Sequence, residues 1–383
     1  MILDSSDRAG RMPRSAIREI MALAADRPDV IHLELGEPDF ATPEHITEGA
    51  LAAARAGWTK YTSNTGIPRL RELIAERVGR RRAMRVAPEQ VVVTTGAVGA
   101  LFTAVMTVTD AGDEVLVPDP GWPNYESIVH LADARAVRFR LRREHGFLPD
   151  PDEIAAKIGP ATRAIMLNTP TNPTGAVFSR EVMARVADLA VARGVFVISD
   201  EVYEDLVFEG EHASIAGLGV DDRAFIVSGF SKTYAMTGWR LGYLVCPRHL
   251  ASVAASLQEP VTSCASSVAQ KAGETALAGP QECVERFRAI YRARRDLLVE
   301  VLGGSSLLPV VPAGAFYAFV DIGPTGQDST TFAKDFLLAQ GVAVVPGVTF
   351  GPSCDRFVRV AFTAGEKDLR AGLERLRRHV LGA

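Results

Sequence analysis

Cysteine is scarce in this sequence, with 4 among 383 residues, at positions 246, 264, 283 and 354. None sits in a CxxC pair or beside a histidine cluster, which excludes a disulfide framework and a zinc site of ordinary spacing. Cys246, Cys264, Cys283 and Cys354 therefore read as reduced, mostly buried small hydrophobes. An excess of one charge is missing too: 42 Lys+Arg against 46 Asp+Glu give a formal net charge of −4. No basic field is available for a nucleic-acid backbone. No apolar run reaches the ~18 to 20 residues of a membrane span, and the opening stretch from Met1 to Arg8 is too polar for a secretory leader. A cytoplasmic location is the expectation. Internal repeats and low-complexity linkers are also lacking, so the middle of the chain should be one continuous unit. At this length there is room for two domains or one large one.

What the chain does have is alternation. Short apolar runs without a polar face recur at residues 91–94, 115–117, 164–167, 195–198 and 224–227, as strands covered on both sides should. Helical patterns lie between them. One runs from Ser179 to Arg193, with Ser179 as N-cap and Val182, Val186 and Leu189 on one stripe,. This order predicts an α/β domain with a mostly parallel sheet. A long helix from Pro280 to Leu302, stopped by Gly303-Gly304, leads out of it,. Residues 316–320, 342–345 and 357–362 read as strands of a smaller sheet. A last helix with Leu369, Leu373, Leu376 and Val380 on one face is expected to pack on that sheet,.

Chemistry concentrates in the turns after the apolar runs. The segment from Ser228 to Tyr243 pairs Lys232 with Arg240 eight residues on. A lysine amine forms a Schiff base with an aldehyde, and a phosphate needs a fixed cation plus small residues that let the backbone come close. Thr95-Gly96-Ala97-Val98-Gly99 carries a strand into a helix, where free N–H groups make an anion site or the turn simply packs tightly. Trp122 stands in a turn at the carboxyl edge of the sheet, as a core residue or a ligand contact. Asp200 follows a hydrophobic strand, as a helix cap or a functional carboxylate. The Asn168 to Gly175 string is rich in turn formers,. Arg359 lies within a β-patterned run, where a lone arginine is usually a solvated edge residue.

Taken as strings, Gly36-Glu-Pro-Asp-Phe40-Ala-Thr-Pro43, Asn172-Pro-Thr-Gly175, and Ser231-Lys232 with the Thr237-Gly-Trp-Arg240 that follows closely resemble motifs of the class I and II aminotransferases. These are pyridoxal 5'-phosphate (PLP) enzymes of fold type I, aspartate aminotransferase-like, and the resemblance runs from Gly36 to Arg359. It implies an α/β fold with a large PLP-binding domain, residues 44–285, holding a mostly parallel sheet between helices. A smaller α+β domain would come from both chain ends, residues 1–43 and 286–383. It implies transfer of an amino group from an L-amino acid to a 2-oxo acid by a ping-pong mechanism, with Lys232 as Schiff-base lysine and proton shuttle. Gly96, Ala97, Val98, Ser231 and Arg240 would hold the cofactor phosphate and Trp122 would stack on its ring. Asp200 would pair with the pyridine nitrogen, while Asn172 and Tyr203 would reach the phenolic oxygen. Gly36, Trp122, Asn172 and Arg359 would contact substrate, with Arg359 on the α-carboxylate. Tyr61 would touch the phosphate of the other subunit, so a homodimer with shared sites is implied.

Two positions depart from the pattern. Many relatives have a phosphate-binding serine three residues before the lysine, where this chain has Gly229; Ser228 and Ser231 are the nearby hydroxyls, and Ser231 is the choice. Aspartate-preferring relatives carry a lysine along the helix after the phosphate loop, matched here with Met106. Neutral side chains are then expected to be accepted at least as well as aspartate. The alternative outcome on the same machinery is a PLP-dependent cysteine-S-conjugate β-lyase. A PLP-sensing transcription regulator is a third reading, but only about 30 residues precede the Gly36 motif, too few for a helix-turn-helix module.

Overall fold

Apolar runs that lack a polar face need cover on both sides, and here they form the centre of one sheet. The computed structural model describes residues 5–10, 12, 16–25, 27–82 and 84–382; the first four residues of the polar opening stretch lie outside these. After the short strand β1 (Ile31–His32) come β2 (Val91–Thr95), β3 (Glu114–Asp119), β4 (Arg135–Arg140), β5 (Thr162–Asn168), β6 (Phe196–Asp200), β7 (Ala224–Gly229) and β8 (Leu241–Val245). The last seven make a single sheet in the order β2-β8-β7-β6-β5-β3-β4. Only β8 runs against the rest.

All five expected strands are present, and two were passed over in the sequence. β4 carries three arginines and closes one edge of the sheet, paired only with β3. Its exposed face hides the apolar pattern. β8 lies inside the lysine segment and is fully buried between β2 and β7.

The helix Arg180–Arg193 starts where expected, with the Ser179 hydroxyl accepting from the Val182 N–H. Its buried stripe is Met183, Val186, Ala187 and Ala190, so Val182 and Leu189 flank the contact and do not centre it.

The chain ends meet. β9 (Tyr317–Asp321), β11 (Val345–Pro346) and β12 (Phe357–Ala361) form an antiparallel sheet in the order β11-β12-β9, while β10 (Val342–Ala343) pairs in parallel with β1. The run 342–345, expected as one strand, is thus divided between two sheets. The Leu33 N–H donates to Ala343 O at 3.0 Å, and Leu33 O accepts from the Ala361 N–H at 2.7 Å. The helix Glu366–Leu381 buries Leu369, Leu373, Leu376 and Val380 as its spacing predicts. Its main partner is the long helix Glu282–Leu302, with smaller contacts to the turn Gly323–Thr325, the helix Ser329–Gln340 and β1.

Candidate active site

The parallel strands end on one side of the large sheet, and the side chains that leave them converge on a cavity of ≈ 320 Å³,. At the end of β6, Asp200 is 3% exposed. Its carboxylate accepts from the Tyr125 hydroxyl at 2.8 Å and from the Val202 N–H at 3.3 Å. Burial is the largest influence on it and pushes its pKa up to about 6, with those two donors pulling the other way,. Beside it in register, Asn168 ends β5. The Asn168 amide donates to Asp200 O at 3.0 Å and its carbonyl accepts from the Asn172 N–H at 2.8 Å. The turn that carries Asn172 is fixed to both strands in this way.

Lys232 sits three residues past the end of β7. Its half-buried Nζ donates to Gly36 O at 2.7 Å. Burial lowers its pKa to about 8; Arg359 and Arg240 push the same way, against Glu37 and Asp200. Arg240 holds a left-handed φ of 51° and donates to Thr237 O at 2.9 Å. Its guanidinium lies against Gly96, where a Cβ would come within 2.4 Å of Nη2. Only glycine permits that approach at the start of the helix Gly96–Val108, whose N-cap Thr95 gives no side-chain hydrogen bond,.

Across the cavity, Arg359 occupies the middle of β12, the central strand of its sheet, and is 2% exposed. It is no solvated edge residue. Nη2 donates to Glu34 O at 2.6 Å and Nη1 to Asn172 Oδ1 at 3.2 Å, while Nε has no partner. The guanidinium stacks over the Tyr317 ring at 4.4 Å and the Phe350 ring at 5.0 Å. Burial pulls its pKa below the usual arginine value. Among the described residues no carboxylate bonds to it, and a buried cation in that condition favours an incoming anion,.

Most of the residues singled out in the sequence meet here. Gly36, Ala97, Val98, Trp122, Asn172, Asp200, Tyr203, Ser231, Lys232, Arg240 and Arg359 all line the cavity. Gly96 stands directly behind Arg240. Of the two serines, Ser231 lines the cavity, whereas the buried Ser228 donates to Glu204 at 3.3 Å. Tyr61 is not brought to it: the ring is 89% exposed on its own chain. Met106 is not brought to it either. It packs against the apolar cluster under the sheet, and the residues of its helix that face the cavity are Ala97 and Val98, a turn or more earlier.

The sequence reading did not assign Ile17, Glu37, Tyr125, Asn168, Val202, Gly229, Thr237 and Tyr317, which also line the cavity. Tyr125 had a signal, since it stands three residues after Trp122 and packs edge-on to it at 5.6 Å. Tyr317 had none beyond its place in a β-patterned run.

The model of the aminotransferase class I and II family matches residues 28–376. The chain is 42% identical over 357 residues to an aspartate/prephenate aminotransferase of Thermus thermophilus, covering 92% of this chain and 91% of that one. It is 40% identical over 350 residues to an arginine–pyruvate transaminase of Pseudomonas aeruginosa, covering 91% and 89%. Among solved structures, Thermus thermophilus aspartate aminotransferase with maleate superposes with a TM-score of 0.94 at 40% identity, over 98% of this chain and 100% of that one.

Proposed function

The chain belongs to the class I and II aminotransferases, PLP-dependent enzymes of fold type I, and from that premise we propose that it moves the amino group of an L-amino acid to a 2-oxo acid by a ping-pong mechanism, with Lys232 as Schiff-base lysine. The cavity fits the cofactor. Gly96 leaves room between a helix N-terminus and the Arg240 guanidinium, which suits a phosphate,. Asp200 is a buried carboxyl with a raised pKa and no cation bonded to it, which suits a protonated ring nitrogen. Burial also brings the Lys232 amine to about 8, within reach of its neutral, nucleophilic form,.

When bound, PLP supplies an aldehyde for an amine and a ring that takes up the electron pair left as a proton leaves the substrate α-carbon. The chain does the rest. Gly96, Ala97, Val98, Ser231 and Arg240 hold the phosphate, and Trp122 covers the ring face. Asp200 keeps the ring nitrogen protonated. Asn172 and Tyr203 hold the phenolic oxygen. Arg359 takes the substrate α-carboxylate in a fork shared with Asn172, and Gly36 lets its backbone approach. The Lys232 amine would then carry the proton from the substrate α-carbon to the carbon on the far side of the amino nitrogen, the one that had been the cofactor's aldehyde. Both half-reactions use one site, so the first oxo acid leaves before the second binds.

The observation that carries this reading is the convergence of Lys232, Asp200 and Arg359 on a single cavity. Relatives named for aspartate, prephenate and arginine support the reaction type and differ in side chain. The test is to mix the holoenzyme with single amino acids, aspartate, arginine and phenylalanine among them, and to follow the cofactor absorbance as it converts to the amine form. Conversion without release of ammonia supports the transaminase. Steady pyruvate and ammonia from a cysteine S-conjugate, with no oxo acid added, would instead mean the β-lyase, which these relatives do not favour.

We further propose a homodimer in the cytoplasm. The exposure of Tyr61 on its own chain supports a contact with the partner's site, and four free cysteines suit a reducing compartment. Among the described residues no helix is long and apolar enough to cross a membrane. Residues 44–285 would form the large domain, with 1–43 and 286–383 as the small one; the pairing of β1 with β10 supports joining the two ends.

A further inference from the structure

We propose that Tyr317 is a positioning residue that fixes which way the Tyr203 hydroxyl points, a role that rests on the reading of Tyr203 as the donor to the cofactor's phenolic oxygen. Tyr317 opens β9 and is 2% exposed. Its hydroxyl lies 3.0 Å from that of Tyr203, with the two rings edge-on at 5.8 Å. A bond between two neutral hydroxyls has one donor and one acceptor. Burial pushes both phenols above their usual value, so each keeps its proton.

The direction of that bond follows from the chemistry next to it. The phenolic oxygen of the cofactor is an acceptor, and Tyr203 serves it only by donating. Tyr203 must then accept from Tyr317. The order Tyr317, Tyr203, cofactor oxygen is a chain in which each donor is polarised by the one before it. With the order reversed, Tyr203 would face the cofactor with lone pairs alone.

The rest of Tyr317 is held so that the hydroxyl cannot drift. Its oxygen crowds the position that a Cβ on residue 36 would take, so only glycine there leaves it room. Its ring bears the Arg359 guanidinium at 4.4 Å. One side chain thus supports the proposed carboxylate receptor with its face and orients the cofactor's donor with its edge.

The experiment is a pH titration of cofactor absorbance in the resting holoenzyme, comparing wild type, Tyr203→Phe, Tyr317→Phe and the double variant. An oxygen that loses its donor holds a shared proton more strongly, so Tyr203→Phe should raise the midpoint. Tyr317→Phe should raise it by less. In the Tyr203→Phe background the second change should add nothing. Because Tyr317→Phe keeps the ring under Arg359, KM for the amino acid should stay within about twofold while the midpoint moves. An unmoved midpoint in Tyr317→Phe, or a shift of full size in the double variant, would overturn the proposal while leaving Tyr203 as donor. No shift in Tyr203→Phe would overturn the donor reading itself and the relay with it.

Discussion

A carboxyl buried among neutral donors gains little from being charged, and among the described residues the Asp200 carboxylate accepts from the Tyr125 hydroxyl and the Val202 N–H. Its value of about 6 in the fold stands above the ordinary 3.8, so the folded chain binds a proton that the unfolded chain has given up. The resulting stabilisation is full below the ordinary value and is lost as pH rises through about 6,. A cationic ring nitrogen against Asp200 removes that loss. Melting temperatures of the protein with and without PLP should therefore lie further apart at about pH 7 than at about pH 5. An equal gap at both would mean that Asp200 does not meet the cofactor's cation. Arg359 makes the opposite case, a buried cation held by a carbonyl and an amide oxygen. Arg359→Ala should weaken every amino acid and oxo acid alike, by about 2 to 5 kcal/mol, and Arg359→Lys should restore little because an ammonium cannot make the fork. Half-reaction constants across a series of amino acids decide it; a loss confined to one substrate would assign this arginine to a side chain. Lys232, Asp200 and Arg359 were legible as parts of strings. Tyr317 was not, because it takes its meaning from a partner 114 residues away, and Tyr125 gave only its place beside Trp122, its bond to Asp200 spanning 75 residues.

At the scale of elements, the helix Pro68–Arg82 presents three arginines to the segment just past β6. Arg77 meets Asp205 at 2.6 Å, Arg81 meets it at 2.5 Å, and Arg82 lies between Glu201 and Glu204, with the latter at 2.9 Å. His212 adds a contact to Glu201 at 3.0 Å. Burial alone would push Glu201 up, but Arg82 and His212 hold it well below the carboxylate range. Thr233 ties the group to the lysine turn by donating to Asp205 at 2.6 Å. The network therefore flanks Asp200 on one side and Lys232 on the other. Arg82→Met leaves the buried Glu201 without its guanidinium, while Glu204 keeps Arg81 at 3.7 Å, and should cost about 3 to 5 kcal/mol near neutral pH,. The sign with pH is fixed: a depressed Glu201 stabilises the wild type fully above its ordinary value of 4.5 and loses that contribution progressively as pH falls from there through its depressed folded value,. The deficit of Arg82→Met, measured by thermal melting, should shrink towards acid. A deficit independent of pH would place the cost in packing. The apolar stripe of this helix, Leu70, Leu73, Ile74 and Val78, stands at helical spacing in the sequence, and all four are buried,. The ion network was silent, since arginines on a helix look alike whether they face water or a carboxylate. Similarly, nothing in four consecutive apolar residues revealed that 342–345 would divide between two sheets.

For the whole molecule, the position of Tyr61 sets the sharpest test of assembly. If it serves the partner's phosphate site, a Lys232→Ala subunit joined to a Tyr61→Phe subunit gives one dead site and one with both native residues. Mixed dimers should then recover up to about half of the wild-type activity per dimer, although neither parent is fully active. If Tyr61 acts within its own chain, mixing should recover nothing. Gly36, Lys232 and Arg359 come from opposite regions of the chain, and the bond from Arg359 to Glu34 O spans 325 residues. A ribosome delivers these parts in order. Through most of synthesis the large sheet can close and bury its core, yet the Glu34 carbonyl and the strand beside it have nothing to pair with until β10 and β12 have emerged,. Lys232 thus stands at the edge of a sheet that can form well before the strand carrying Arg359 has been made, and the cavity that both line is complete only once β12 has emerged,.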